Sequence, residues 1–573
     1  MRSAHVLTLV VAGAVALSTV ACKRGAASST ELSSAALVEG PALPHPPMSA
    51  TAKIAAVAMQ ANVYERPSES SKKIGYLRLG AVVPRADKPS GTDGCAEGWY
   101  AIPPRGYVCN GATVSIDVDQ PLVKAASRRP DAASPMPYSY GFVRSIAPLY
   151  LRVPTPEEQQ SAEFKLSSHL SWWSRRAEEA NRPDLGAMDA LREVDPSAPE
   201  RPASNTMSDG VFFGGESDRD PLPFWLEAAG TRTSADRNPQ QGMIVGRRIP
   251  NVASFQVPPH SFFANRVKRH TGLAFIGAFD GGVAAGGRRF AVTVDMRLVP
   301  IDKVKPESGS AWHGVELGDA QLPVAFARPC DRTGKDAAKP CVHPYQVEGS
   351  QMKRQPELLK ARAYLPLTGQ SKKARGGRYL ETRFGFWVRA KDVGIAVAPQ
   401  EWPQAAKNGE RWIDVSIEEQ TLTLWEGTKP LFVTLVSTGQ DGLDDPKTTK
   451  STPRGLYRMK SKHITATMDS DERSSQSGGA APSAEAGESS SGQTKGHGFE
   501  LRDVPFVQYF HDGYALHAAY WHDVFGLARS HGCINLSPLD AMRVFKFTGP
   551  DVPEGWHGIN VPSGKGTSII IHR

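Results

Sequence analysis

The chain has 573 residues, with 67 Lys and Arg against 59 Asp and Glu for a formal net charge of +8, and 40% apolar residues. That length accommodates roughly three to four domains of ordinary size. The basic residues are scattered rather than clustered with aromatic ones, which argues against a nucleic-acid partner and leaves a surface suited to an anionic polymer.

The N-terminus carries Arg2, an almost uncharged apolar run from Val6 to Ala21, then Cys22 followed by Lys23 and Arg24. The run is short for a bilayer span and reads as a signal peptide over residues 1–22. A cysteine directly after the small Ala21 resembles a bacterial lipoprotein cleavage site, although Thr19 stands where that pattern usually has leucine. The resemblance implies a lipid on Cys22, membrane contact through that lipid, and a location in the bacterial cell envelope, secreted to the periplasm; plain secretion is the alternative. Residues 23–51 are rich in Ala, Ser and Pro and lack apolar periodicity, so they read as a flexible tether.

Residues 52–115 hold short β-type runs broken by turn residues: Asn62-Val63-Tyr64, Ile74-Gly75-Tyr76-Leu77, Gly98-Trp99-Tyr100-Ala101-Ile102 and Gly106-Tyr107-Val108. This pattern resembles a bacterial SH3-like domain, which implies a cell-wall-associated module; a small barrel that binds nothing is the alternative. A linker is expected over 116–138. The region 139–400 reads as mixed and β-rich, with a further SH3-like repeat suggested around the Gly376-Gly377 turn. Thr155-Pro156-Glu157-Glu158 caps a helix expected to run to about Asn181. Arg289 to Val294 and Phe386 to Arg389 alternate as strands do.

Six cysteines fit an oxidising compartment. Cys95 and Cys109 flank one short segment and Cys330 and Cys341 another, which suggests two local disulfides, with reduced thiols as the alternative. Cys22 and Cys533 are left over. The last segment, 411–573, reads as mostly β, with strands at Trp412 to Ile417, Thr421 to Trp425, Leu431 to Thr438 and Ser568 to Ile571. Ser537-Pro538-Leu539-Asp540 opens a helix to about Thr548. The Ser-, Gly- and Ala-rich tract at 469–496 has no core-forming residues and reads as a disordered insertion.

Residues 517 to 536 concentrate the chemistry, because they hold three histidines and the run Ser530-His531-Gly532-Cys533-Ile534-Asn535. A thiol with a pKa of about 8.5 reacts as thiolate, so an imidazole that takes its proton makes it a nucleophile at neutral pH. Breaking an amide by acyl transfer also needs a proton for the leaving amine and donors for the oxyanion. Ser530 and Asn535 suit bracing of the turn better than reaction. His511 and His522 read as surface or wall residues, and Tyr520 and Trp521 as packing for a cleft wall.

The histidine, the spacer and the Ser-His-Gly-Cys-Ile-Asn run resemble the L,D-transpeptidase catalytic domain family of YkuD type. Ser437-Thr438-Gly439 and Thr452-Pro453-Arg454-Gly455-Leu456-Tyr457 support the match, while Ala518 stands where many members have Gly or Ser. The resemblance implies a mainly β chain: a C-terminal L,D-transpeptidase-type β-sandwich or barrel with a short helix, preceded by SH3-like β modules and the mixed middle region. It further implies that Cys533 is the nucleophile and His517 its base, oriented by a carbonyl near Ala518 or by a side chain. His531, Gly532, Ser530 and Asn535 support the loop or the oxyanion. The implied partners are peptidoglycan stem peptides: attack on the third residue of a donor tetrapeptide releases D-Ala, and the acyl group passes to an amine.

Hydrolysis and protein attachment by the same thioester stay open. No cofactor is implied. A zinc site built from His517, His531 and Cys533, with His522, is a competing class, although no recognised metal spacing is present. A non-enzymatic wall-binding lipoprotein is another. The sequence does not specify an oligomeric state.

Overall fold

The Thr155 segment shows how local sequence and tertiary contact divide the work. In the computed structural model Thr155 accepts from Glu158 N and the Glu158 carboxylate accepts from Thr155 N, a reciprocal cap that opens the helix Pro156–Ala162. The expected continuous helix to Asn181 is interrupted. The chain leaves helical geometry at Glu163, passes Lys165 at φ 51°, and restarts as Leu166–Ala180. The break delivers the Glu163 carboxylate to a buried cluster, where Arg288 reaches it at 2.6 Å, Lys303 at 3.4 Å and the Tyr150 hydroxyl at 2.7 Å. A buried carboxylate must be paired, and that requirement overrides helix propensity here.

The described residues are 46–120, 130–180, 261–318 without Gly282, 321–330, 339–469 and 500–573, with Leu122, Val123, Ala126 and Val252 as single positions. The signal segment with Cys22, the tether up to residue 45, and the 469–496 insertion after Asp469 lie outside them. Among the described residues strands dominate, and no helix is long and apolar enough to cross a membrane.

The C-terminal part is a two-layered β-sandwich with one helix. Its first sheet orders the strands Val315–Glu316, Lys429–Leu435, Thr421–Glu426, Arg411–Ser416, Ser568–His572 and Gly455–Arg458. Its second layer holds Ser461–Asp469, Glu500–His511, Tyr514–Ala518 and Ile534–Leu536. Strand alternation sends Ile413 and Val415 into the core between the layers and Trp412 to the opposite face, where it stacks on Trp425 at 5.3 Å between ring centroids. The helix Pro538–Phe547 starts as expected, with Ser537 accepting from Asp540 N and Pro538 in the first turn. Ala541, Val544 and Phe547 close the same core.

Residues His45–Arg573 form one compact unit. The N-terminal strands pair directly with the C-terminal part through Gly75↔Ile559 and Tyr76↔Gly558. At Gly75 a Cβ would stand 2.5 Å from Gly558 O and 2.6 Å from the Trp556 ring, so only glycine permits this approach. Trp556 fills the N-terminal core beside Ile54, Val63 and Val108, and its indole N–H donates to Pro103 O at 2.9 Å. The first strand begins at Met48, inside the expected tether. Within 116–138, expected as a linker, Met136 and Tyr138 are buried apolar anchors. Sheets likewise join the middle region to the C-terminal part: Gly272 pairs with Leu501, and Val315–Glu316 lies along Lys429–Leu435. Both expected disulfides are present, Cys95–Cys109 and Cys330–Cys341.

Several polar groups pair across the joint between the N-terminal and C-terminal parts. Arg78 pairs with Asp503 at 2.5 Å and donates to His557 Nε2 at 3.2 Å, while Tyr76 and His463 are hydrogen-bonded at 3.1 Å. Burial pushes His463 down from the ordinary 6.5 to about 4 and holds His557 well below its usual range. A folded pKa below the unfolded one makes this contribution complete above the unfolded value and lost as pH falls toward the folded value. Moving from about pH 7.5 to about pH 5 is therefore expected to cost about 2 kcal/mol for such a histidine. Urea unfolding at the two pH values checks this. His463→Gln is expected to flatten the dependence, and a midpoint indifferent to pH would contradict the account.

Candidate active site

Two short strands place the candidate nucleophile and base. Tyr514–Ala518 runs parallel to Ile534–Leu536, with Leu516 beside Ile534, His517 beside Asn535 and Ala518 beside Leu536. Partners in a parallel pair project to the same face, and successive residues alternate. Leu516, Ala518, Ile534 and Leu536 all enter the sandwich core. His517, Asn535 and, one step before the strand, Cys533 therefore share the opposite face. Packing agrees: Ala515, two residues before His517, belongs to a second apolar cluster against which Cys533 and Trp521 pack. Cys533 is a half-buried thiol outside any disulfide, and its Sγ lies 3.7 Å from Gly513 O, at the turn between Glu500–His511 and Tyr514–Ala518.

His517 is buried and oriented. Its Nδ1 lies 3.0 Å from Ala518 O, and a carbonyl only accepts, so Nδ1 carries the proton and Nε2 keeps its lone pair. Burial outweighs that hydrogen bond and lowers the imidazole from 6.5 to about 4. The group is thus a neutral base across the neutral range. Trp521 stacks on the ring at 5.7 Å between centroids.

The Cys533 turn is braced from three sides. Ser530 Oγ accepts from Gly532 N at 3.0 Å and donates to Cys533 O. Gly532 sits at φ 127°, a region that favours glycine, and its N–H is spent on Ser530. That hydrogen bond makes Gly532 part of the brace of the loop. Thr452 Oγ1 donates to Gly532 O at 2.8 Å and accepts from Gly439 N at 2.9 Å. The Ser437-Thr438-Gly439 segment bridges both ends of the turn through Asn535 and Ser530. Gln420 in turn holds Thr438, accepting from its N–H at 2.9 Å. Thr452 and Ser437 were visible as matching segments without a role, whereas Gln420 carries no local signal.

His522, expected as a surface or wall residue, is not at the surface. It is buried, its Nε2 is hydrogen-bonded at 3.1 Å to the Asn535 side chain, and desolvation pushes it down to about 3. His531 is exposed on the turn, and His511 stacks on Tyr514 at 6.0 Å between centroids. Among the described residues no group of three His, Cys, Asp or Glu side chains is placed to hold a metal ion, so the set His517, His522, His531 and Cys533 does not converge as zinc ligands.

The family model of the L,D-transpeptidase catalytic domain, YkuD, matches residues 410–571. No curated protein matches the chain. Among solved structures the chain is similar to a mutant of the Enterococcus faecium L,D-transpeptidase, with 18% identity over 28% of this chain and 49% of that one and a TM-score of 0.19. It is also similar to an L,D-transpeptidase from Mycobacterium smegmatis, with 20% identity over 44% of this chain and 92% of that one and a TM-score of 0.20. A third similar structure is L,D-transpeptidase 3 from Mycobacterium tuberculosis with a faropenem-derived adduct, with 18% identity over 36% and 78% of the two chains and a TM-score of 0.20. The chain thus spans about half the length of the Enterococcus faecium structure, 49%. The segment 410–571, which contains both His517 and Cys533, is an L,D-transpeptidase catalytic domain of YkuD type.

Proposed function

We propose that the chain is a peptidoglycan L,D-transpeptidase that uses Cys533 as nucleophile and His517 as base. The observation that carries this reading is the parallel register that sets His517 and Cys533 on one face, with Nδ1 of His517 tied to Ala518 O. The Cys533 thiol gives its proton to His517 Nε2 as Sγ bonds to the carbonyl carbon of the third residue of a stem tetrapeptide. The C–N bond to terminal D-Ala then breaks, and His517 returns the proton to the leaving amine. An amine of a second stem attacks the thioester, His517 takes its proton, and Sγ leaves to recover the thiol. With water or a protein amine as acceptor the same thioester gives hydrolysis or protein attachment.

The anchor and the location belong to the same proposal. Cys22 carries a lipid, the chain works in the periplasm, and residues 52–115 act as an SH3-like wall-associated module. Their firm joint to the C-terminal part gives that module a fixed relation to the Cys533 face.

Incubating the protein with wall material and analysing the digest by mass spectrometry is expected to reveal new cross-links with loss of D-Ala. Cys533→Ala is expected to abolish them at an unchanged melting temperature, and cross-linking that survives in this variant would overturn the assignment. His517→Ala is expected to lose about 100-fold or more in rate. The acid limb of kcat/KM is expected near pH 4, where His517 gains its proton, and a limb near 6.5 would contradict a desolvated base. Faropenem is expected to leave a mass adduct on Cys533, as it does on the Mycobacterium tuberculosis protein. Thr452→Ala is expected to slow the reaction by roughly 10-fold with KM little changed, because it releases the Gly532 carbonyl.

A further inference from the structure

The residues between His517 and the Ser530 turn are held by side chains from the middle region. Arg362 grips the Asp523 carboxylate with both terminal nitrogens, Nη2 to Oδ2 at 3.0 Å, and Nη1 also donates to the Asp523 carbonyl at 3.0 Å. The Ser310 hydroxyl donates to the same carboxylate. Arg328 Nη1 donates to Gly526 O at 3.2 Å. Trp312 lies under the Arg362 guanidinium at 5.5 Å and stacks on Phe525 at 6.2 Å between centroids. Arg362 itself sits at φ 57°, a conformation that costs a non-glycine residue backbone energy and persists only where surrounding contacts impose it.

The two residues before Asp523 touch the catalytic face. Trp521 stacks on the His517 ring, and His522 bonds the Asn535 side chain, which neighbours His517 across the strand pair. Fixing Asp523 therefore fixes the tripeptide that holds the base. A fork of two parallel charge-assisted hydrogen bonds sets orientation as well as distance, which a lysine at the same position would not reproduce.

We propose that Arg362 is a positioning residue: through Asp523 it holds Trp521 and His522 against His517 and Asn535, so that Nε2 stays aimed at the Cys533 thiol. The middle region thereby completes the active site rather than merely spacing it from the N-terminus. The proposal rests on the Cys533 and His517 assignment but not on the identity of the substrate.

The test is the rate at which iodoacetamide alkylates Cys533 in the full chain, followed by intact mass from about pH 5 to about pH 9, beside thermal melting. This readout is independent of peptidoglycan, so a failed cross-linking assay leaves it interpretable. Arg362→Gln is expected to slow alkylation roughly 10- to 100-fold near neutrality and to shift its pH profile toward that of a simple thiol. Arg362→Lys is expected to restore only part of the rate. Asp523→Asn, which leaves the arginine in place, is expected to reproduce the loss, and the double variant to add little to either. Should Arg362→Gln not fold, Asp523→Asn decides alone. The exposed pair of Arg411 and Glu426 is the control, with Arg411→Gln expected to leave the profile unchanged. Parental rate and pH profile in folded Arg362→Gln or Asp523→Asn would overturn the proposal.

Discussion

Three rungs of parallel strand pairing decide where the thiol and the imidazole stand. Leu516 with Ile534, His517 with Asn535 and Ala518 with Leu536 lock the register, and the apolar members are fixed because they fill the core between two sheets. A slip of one residue would turn those apolar side chains out and carry His517 and Asn535 inward, so hydrophobic burial enforces the face that they share. The helix Pro538–Phe547 caps the same core, and its N-terminal Ser537 directly follows the strand that carries Asn535. The site thus takes its precision from the packing beneath it.

Burial has a second effect, on charge. Removing His517 from water favours its neutral form, which suits a base, while the Ala518 carbonyl settles which nitrogen keeps the lone pair. His522 and His463 are driven the same way by the same cause. Desolvation of His517 and closure of the joint to the N-terminal strands are both consequences of the dense sheet packing around Glu500–His511.

The sequence disclosed elements whose causes are local. Strand alternation, the Thr155 and Ser537 caps, the cysteine spacings and the Ser530 to Asn535 run each carry their own signal, and the structure returns them nearly where expected. What stayed hidden depends on partners distant in the chain. Glu163 breaks a helix because Arg288 and Lys303 wait for it more than 100 residues later. Met136 and Tyr138 looked like linker residues until a core formed around them, and Gly75 meets Gly558 only after two sheets join. His522 left surface and wall both open because its partner, Asn535, is reached only through the turn. Arg362 gave no signal at all, since nothing near it in sequence resembles a site.

Trapping the acyl-enzyme tests the central claim most directly. The full chain mixed with a stem tetrapeptide and no acceptor is expected to gain the mass of the peptide less D-Ala, on Cys533 alone, and to lose it when an amine is added. Turnover of the tetrapeptide with no adduct on Cys533, or an adduct that forms equally well in His517→Ala, would contradict it.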